Sequence, residues 1–185
     1  MGNSKFIFFV FFVFSVGCNK NQEMFYDYSI EEKITSLGYT LPEPNTPVAN
    51  YVSTVSFAEN KNSKLVYVSG TGPKTKNGIY ITGKLGGDLT IEDGYAAAQI
   101  TGLNILAALK KEIGDLNKIK RFVKVIGMVN STPNFEQQPA VINGFSDFIV
   151  EVFGERGKHA RSAVGMVSLP NGIAVEIEVV VEVKN

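Results

Sequence analysis

The chain has 185 residues, 44% of them apolar and 19% charged, a globular balance with length for one domain and too little for two of ordinary size. Eighteen basic and eighteen acidic residues give a formal net charge of zero, and no basic run interrupts the chain, so nucleic acid has no electrostatic foothold. A single cysteine and a single histidine exclude an internal disulfide and make no ligand cluster, so no metal or cofactor is expected.

In chain order, the first segment is MGNSKFIFFVFFVFSVGC. Lys5 is followed by an apolar run from Phe6 to Phe14 and by small residues before Cys18. The run is too short to span a bilayer, which takes about 20 residues, and it matches the apolar region of a secretory signal peptide over 1–17. SVGC resembles the lipobox of bacterial lipoproteins, with Ser15 where leucine is usual. The resemblance implies cleavage before Cys18, lipidation of that cysteine, an exported and membrane-anchored protein, and a short tether over 18–28. The domain itself is expected over 29–185.

Ser29 and Glu32 form a capping box ahead of Ile30, Ile34 and Leu37, and Gly38 ends that helix in a left-handed conformation. Pro42, Pro44 and Pro47 force an extended lead-in. NYVSTVSFA and KLVYVSGTG read as strands, and a Gly-rich excursion follows with a short strand over Ile79–Thr82. Thr90 and Asp93 cap the clearest helix, in which Ala97, Ile100, Leu103, Leu106, Ala107 and Ile113 recur at spacings of three and four before Gly114 stops it. KIKRFVKVIGMVNS is a long strand, apolar enough to be buried on much of both faces. A second helix begins in earnest near Pro139. HARSAVGMVSLPNGIAVEIEVVVEV then reads as two strands about a turn near Pro170 and Asn171. Gly86 and Gly87 lack the pattern of a phosphate loop and read as turn residues. Strands alternating with two helices predict an α+β domain, one sheet with helices packed on one face and an apolar opposite face that a symmetric oligomer would hide.

Chemistry concentrates in the last two strands. Alternate residues share a face, so Arg161 lies with Ala163, Gly165 and Val167, and Glu176, Glu178 and Glu182 lie together. A symmetric hairpin register predicts Arg161 on the carboxylate face, because a one-residue slip would bury it among valines without a partner. Two readings follow from this pattern. One is a solvated cross-strand ion pair, worth about 0–1 kcal/mol. The other is an anion site, in which the guanidinium grips a carboxylate through two parallel hydrogen bonds and a nearby glutamate moves a proton. Pattern alone does not choose. His159, two residues before Arg161 on the same strand parity, reads as a surface residue at a strand start, with a catalytic place at the cleft rim as the lesser alternative.

ARSAVGMVSLPNGIAVEIEVVVEV resembles the C-terminal signature of the Rid/YjgF family, VANYVSTVSF its early tyrosine-bearing strand, and LVYVSGTGP its S-G-x-x-P turn. The matches run in order over about 40–184, and the first helix, the Gly-rich insertion and GMVNSTPNFEQQPAVINGFSD resemble an endoribonuclease-like subgroup. The resemblance implies a chorismate-mutase-like fold, a homotrimer with three inter-subunit clefts, and hydrolysis of reactive 2-imino and enamine acids to 2-keto acids. It assigns the carboxylate-binding arginine to Arg161, the aromatic cleft residue to Tyr51, the strand-end serine to Ser69, and the water-orienting glutamate to Glu178, with Glu176 as the alternative two residues away. Ala163 stands where the family often has cysteine, so no thiol acts there. The competing expectations are a non-catalytic module that binds a small carboxylate and, third, a ribonuclease, which the neutral charge disfavours. The loop over Lys74–Asp88 is expected to shape the cleft.

Overall fold

In a computed structural model that describes residues 24–58 and 60–185, the chain runs α1 (Ile30–Ser36), β1 (Thr54–Ala58), β2 (Ser63–Thr71), α2 (Ile91–Ile113), β3 (Ile119–Asn130), α3 (Gln138–Phe153), β4 (Ala160–Met166) and β5 (Val175–Lys184). The signal-peptide reading of 1–17, the lipidated Cys18 and the first part of the tether lie outside the described residues.

The local signals fold as their chemistry dictates. Ser29 Oγ accepts from the Glu32 amide, and Gly38 follows α1 at φ +85°. Thr90 and Asp93 complete a reciprocal capping box that satisfies amides the helix cannot bond internally, and Gly114 closes α2 at φ +79°. Pro139 sits in the first turn of α3, where its missing N–H costs nothing. Gly86, in the Gly-rich excursion, turns at φ +79°. The expected strand over Ile79–Thr82 reduces to isolated bridges, Lys74 to Tyr80 and Thr82 to Ile173.

The five strands form one mixed sheet in the order β1-β2-β5-β3-β4, antiparallel except for the β3–β4 pair. This overturns the C-terminal hairpin. β3, α3 and β4 are a strand–helix–strand crossover, long enough to return β4 parallel to β3. β5 then inserts between β2 and β3, where it is hydrogen-bonded on both sides. α2 and α3 cover one face, packing on Val66, Phe122, Val125, Val129, Ile177 and Val181, all fully buried. The two helices meet closely: a Cβ at Gly144 would stand 2.0 Å from the Tyr95 carbonyl oxygen.

The opposite face is open in the single chain. By register it carries Val55, Phe57, Tyr67, Val180, Ile126, Met128 and Val164. Phe57 is 65% exposed and Tyr67 47%. β3 is therefore buried on the helix side only, with Ile126 and Met128 half-buried on the other. The packed body also begins earlier than position 29. Tyr26 is buried and its hydroxyl donates to the Ile119 carbonyl at 2.7 Å, Tyr28 donates to Val152 at 2.9 Å, and Arg156 stacks over Phe25. The end of the expected tether is thus a strap over the domain, held by two phenols against β3 and α3.

Candidate functional site

Parity along β4 puts Arg161 in register with Val125, which is opposite Val179, so the guanidinium belongs to the helix-covered face and not to the carboxylate face. The feared burial among valines does not follow, because β4 is an edge strand and Arg161 reaches past it to α3. Its Nη1 donates to Asn143 Oδ1 at 2.9 Å and to Ser146 Oγ at 2.9 Å. Asn143 and Ser146 are three apart on a helix and so face the same way. Both bonds use one nitrogen and both acceptors are neutral. Among the described residues no carboxylate pairs with Arg161, and its Nε–Nη2 edge has no hydrogen-bond partner. That edge is the one that matches a carboxylate bidentately. The cross-strand ion pair is thereby removed as an account of this arginine.

The three glutamates of β5 have different surroundings. Glu182 is paired with Lys120, which holds its carboxyl below the usual range. Glu178, opposite Ile126 in mid-sheet, is exposed. Glu176, opposite Met128, is half-buried, and burial, with a smaller push from Glu178, raises its pKa. Its carboxylate fills the space of an absent side chain at Gly70, where a Cβ would lie 2.0 Å from Oε1. The irregularity between Val68 and Thr71 that ends regular β2–β5 pairing makes this approach. Of the two glutamates weighed from sequence, Glu176 is half-buried beside Gly70 and Glu178 is exposed.

Ser69, next to Gly70, donates its hydroxyl to the Val52 carbonyl at 2.7 Å and its amide to Ser53 at 3.0 Å. It ties down the loop that carries Tyr51, whose ring is exposed. Ser69, Gly70 and Glu176 therefore meet at the end of β2, and the loop that carries Tyr51 is bonded there through Val52 and Ser53. Arg161, Asn143 and Ser146 form another at the β4 edge. The fold separates them: two strand spacings of about 4.8 Å lie between β4 and β5, and the clusters occupy opposite faces. Within one chain the two clusters do not meet.

The excursion after β2 closes over the far end of β4. Lys84 donates through Nζ to Asn130 Oδ1 and the Val167 carbonyl, beside a recess of 530 Å³ bordered by Phe135, Gln138 and Gly165. Asn143 and Ser146 were missed from sequence, although two polar residues three apart in the apolar VINGFSDF were a legible signal. Gly70 was read as part of a turn, and its contact with Glu176 depends on a pairing that only the folded sheet shows. Among the described residues no cluster of His, Cys, Asp and Glu could hold a metal ion, and no helix is long and apolar enough to cross a membrane.

Comparison with known proteins agrees with this architecture. Residues 31–178 match the family model described as YjgF/chorismate mutase-like, putative endoribonuclease. Protein TCP17 of Trypanosoma cruzi is 42% identical over 157 residues, covering 84% of this chain and 95% of that protein. A crystal structure of a protein of unknown function from Agrobacterium tumefaciens is 44% identical at a TM-score of 0.74, with coverage of 83% and 93%. A putative endoribonuclease from Shewanella oneidensis is 28% identical at a TM-score of 0.79, with coverage of 84% and 100%. By the match over its folded body, this chain belongs to the YjgF/chorismate mutase-like family.

Proposed function

We propose that the protein hydrolyses reactive 2-imino and enamine acids to 2-keto acids in clefts between the subunits of a homotrimer. The observation that carries this reading is the guanidinium of Arg161, pinned through Nη1 to Asn143 and Ser146 with its Nε–Nη2 edge left to a ligand. That edge takes the substrate carboxylate. Glu176 of the neighbouring copy, its pKa raised by burial, orients a water and, as the carboxylate, accepts its proton as the oxygen adds to the imine carbon. The imine nitrogen is protonated, the C–N bond of the resulting carbinolamine breaks, ammonia leaves, and the keto acid remains. The imine is intrinsically reactive toward water, so positioning supplies most of what the protein adds. Tyr51 and Ser69 border the Glu176 side, the tyrosine as an aromatic wall and the serine through the loop it holds. Residues 1–18 fit an exported lipoprotein, and this chemistry would then act outside the cytoplasm. The family description includes endoribonuclease, but a net charge of zero disfavours RNA as the substrate.

Freshly generated 2-iminopropionate tests the reading. The wild type should release pyruvate faster than the uncatalysed reaction, and Arg161→Lys should lose about 10–100-fold, the equivalent of one charge-assisted contact of about 1.5–3 kcal/mol. Binding of pyruvate without turnover would favour a carboxylate-binding module. The absence of both turnover and binding would end the proposal.

A further inference from the structure

The one histidine of the chain was read as a surface residue, yet it is half-buried and fully engaged. His159 Nδ1 lies 2.7 Å from the Gly157 carbonyl oxygen and Nε2 lies 3.0 Å from Ser146 Oγ. A carbonyl only accepts, so Nδ1 carries the proton. In the neutral ring Nε2 is then a lone pair that accepts from the Ser146 hydroxyl. With its hydrogen committed there, Ser146 Oγ turns a lone pair toward Arg161 Nη1, at 2.9 Å. The edge of the Phe145–His159 ring contact, 5.9 Å between centroids, fixes the imidazole plane. Burial, and secondarily the Arg161 charge, hold the imidazole below its ordinary pKa against the opposing pull of the Gly157 bond, which keeps it in the neutral form this chain of bonds requires.

We propose that His159 and Ser146 are a positioning relay that fixes Arg161 for carboxylate recognition, running Gly157 C=O, His159, Ser146, Arg161 Nη1. Neither residue touches the substrate. Asn143 supplies the second anchor, so loss of the relay loosens the guanidinium without releasing it. The relay's role in recognition rests on the deaminase reading, but its geometry does not, and the experiment separates the two.

The test uses the full chain and four variants: Ser146→Ala, His159→Leu, His159→Asn and His159→Gln. A glutamine amide reaches the position of Nε2 and can accept from Ser146, whereas asparagine reaches only the position of Nδ1. Without ligand, nitrogen NMR should show the Nδ1–H tautomer at His159 and slowed rotation about the Arg161 Cζ–Nη1 bond. Rotation should speed up in the alanine, leucine and asparagine variants and return toward wild type in the glutamine variant. With pyruvate and 2-iminopropionate, the same three variants should raise Kd and KM about tenfold and leave kcat within about twofold. The Nε2–H tautomer, or wild-type rotation in Ser146→Ala, overturns the relay. Faster rotation with unchanged Kd and KM overturns its role in recognition. A wild type that shows the relay but neither binds nor turns over a carboxylate leaves the relay standing and removes the deaminase reading.

Discussion

Glu176 and Glu178 are two positions apart on one face of one strand, and only their neighbours tell them apart. Gly70 leaves a space for the Glu176 carboxylate, whereas Glu178 stands over Ile126 in solvent. Burial first and Glu178 second raise the Glu176 pKa above the ordinary 4.5, so the folded chain binds this proton more tightly than the unfolded one. The resulting contribution to stability is fully present below 4.5 and is lost as pH rises through the raised folded value. Glu176→Gln should abolish turnover and yet be the more stable protein at neutral pH, with melting temperatures that converge with wild type toward acid. Parallel curves would mean that the carboxyl is not perturbed. Gly70→Ala attacks the same contact from the other side. Because the clashing atoms are the end of a flexible side chain, it should cost activity with little loss of melting temperature. Equal loss of both would make Gly70 structural.

At the scale of elements, α3 serves the core and the site together. Its buried side presents Val141, Ile142, Phe145, Phe148, Ile149 and Val152, and its edge over β4 presents Asn143 and Ser146. The α2–α3 distance therefore sets where Arg161 is anchored. Gly144 allows that distance, since an added methyl would collide with the Tyr95 backbone, which cannot rotate away. Gly144→Ala should lower stability by about 1–3 kcal/mol, as overpacking does, measured by denaturant unfolding. It should also weaken carboxylate binding by displacing α3. A fully stable variant would show that the helices separate freely.

At the scale of the whole molecule, the open sheet face and the divided site ask for the same partner. Val55, Phe57, Tyr67 and Val164 present apolar side chains that a monomer would leave in water. The Arg161 and Glu176 clusters lie apart within one chain, and the proposed site needs them to meet between copies. Light scattering should give three times the chain mass. Tyr67→Glu, in the middle of the face and far from Arg161, should shift the protein toward monomer and remove turnover while the melting transition remains. An active monomer would refute a shared site.

The local elements were legible because their causes are local. A threonine with an aspartate three residues on, a proline in a first turn and a glycine after a last turn act through the nearest backbone groups, and α2 begins and ends, and α3 begins, where those residues say. The motifs around Tyr51, Ser69, Arg161 and the β5 glutamates likewise carried the family resemblance. Strand order was not legible. Two β-rich runs about a Pro-Asn-Gly turn are consistent with a hairpin, and nothing within them shows that β5 bonds better between β2 and β3 than beside β4. That insertion exchanges the face of Arg161, removes its expected carboxylate partners and gives it Asn143 and Ser146. The different surroundings of Glu176 and Glu178 were equally out of reach, since they turn on a glycine more than a hundred residues away whose missing side chain matters only once β2 and β5 are paired.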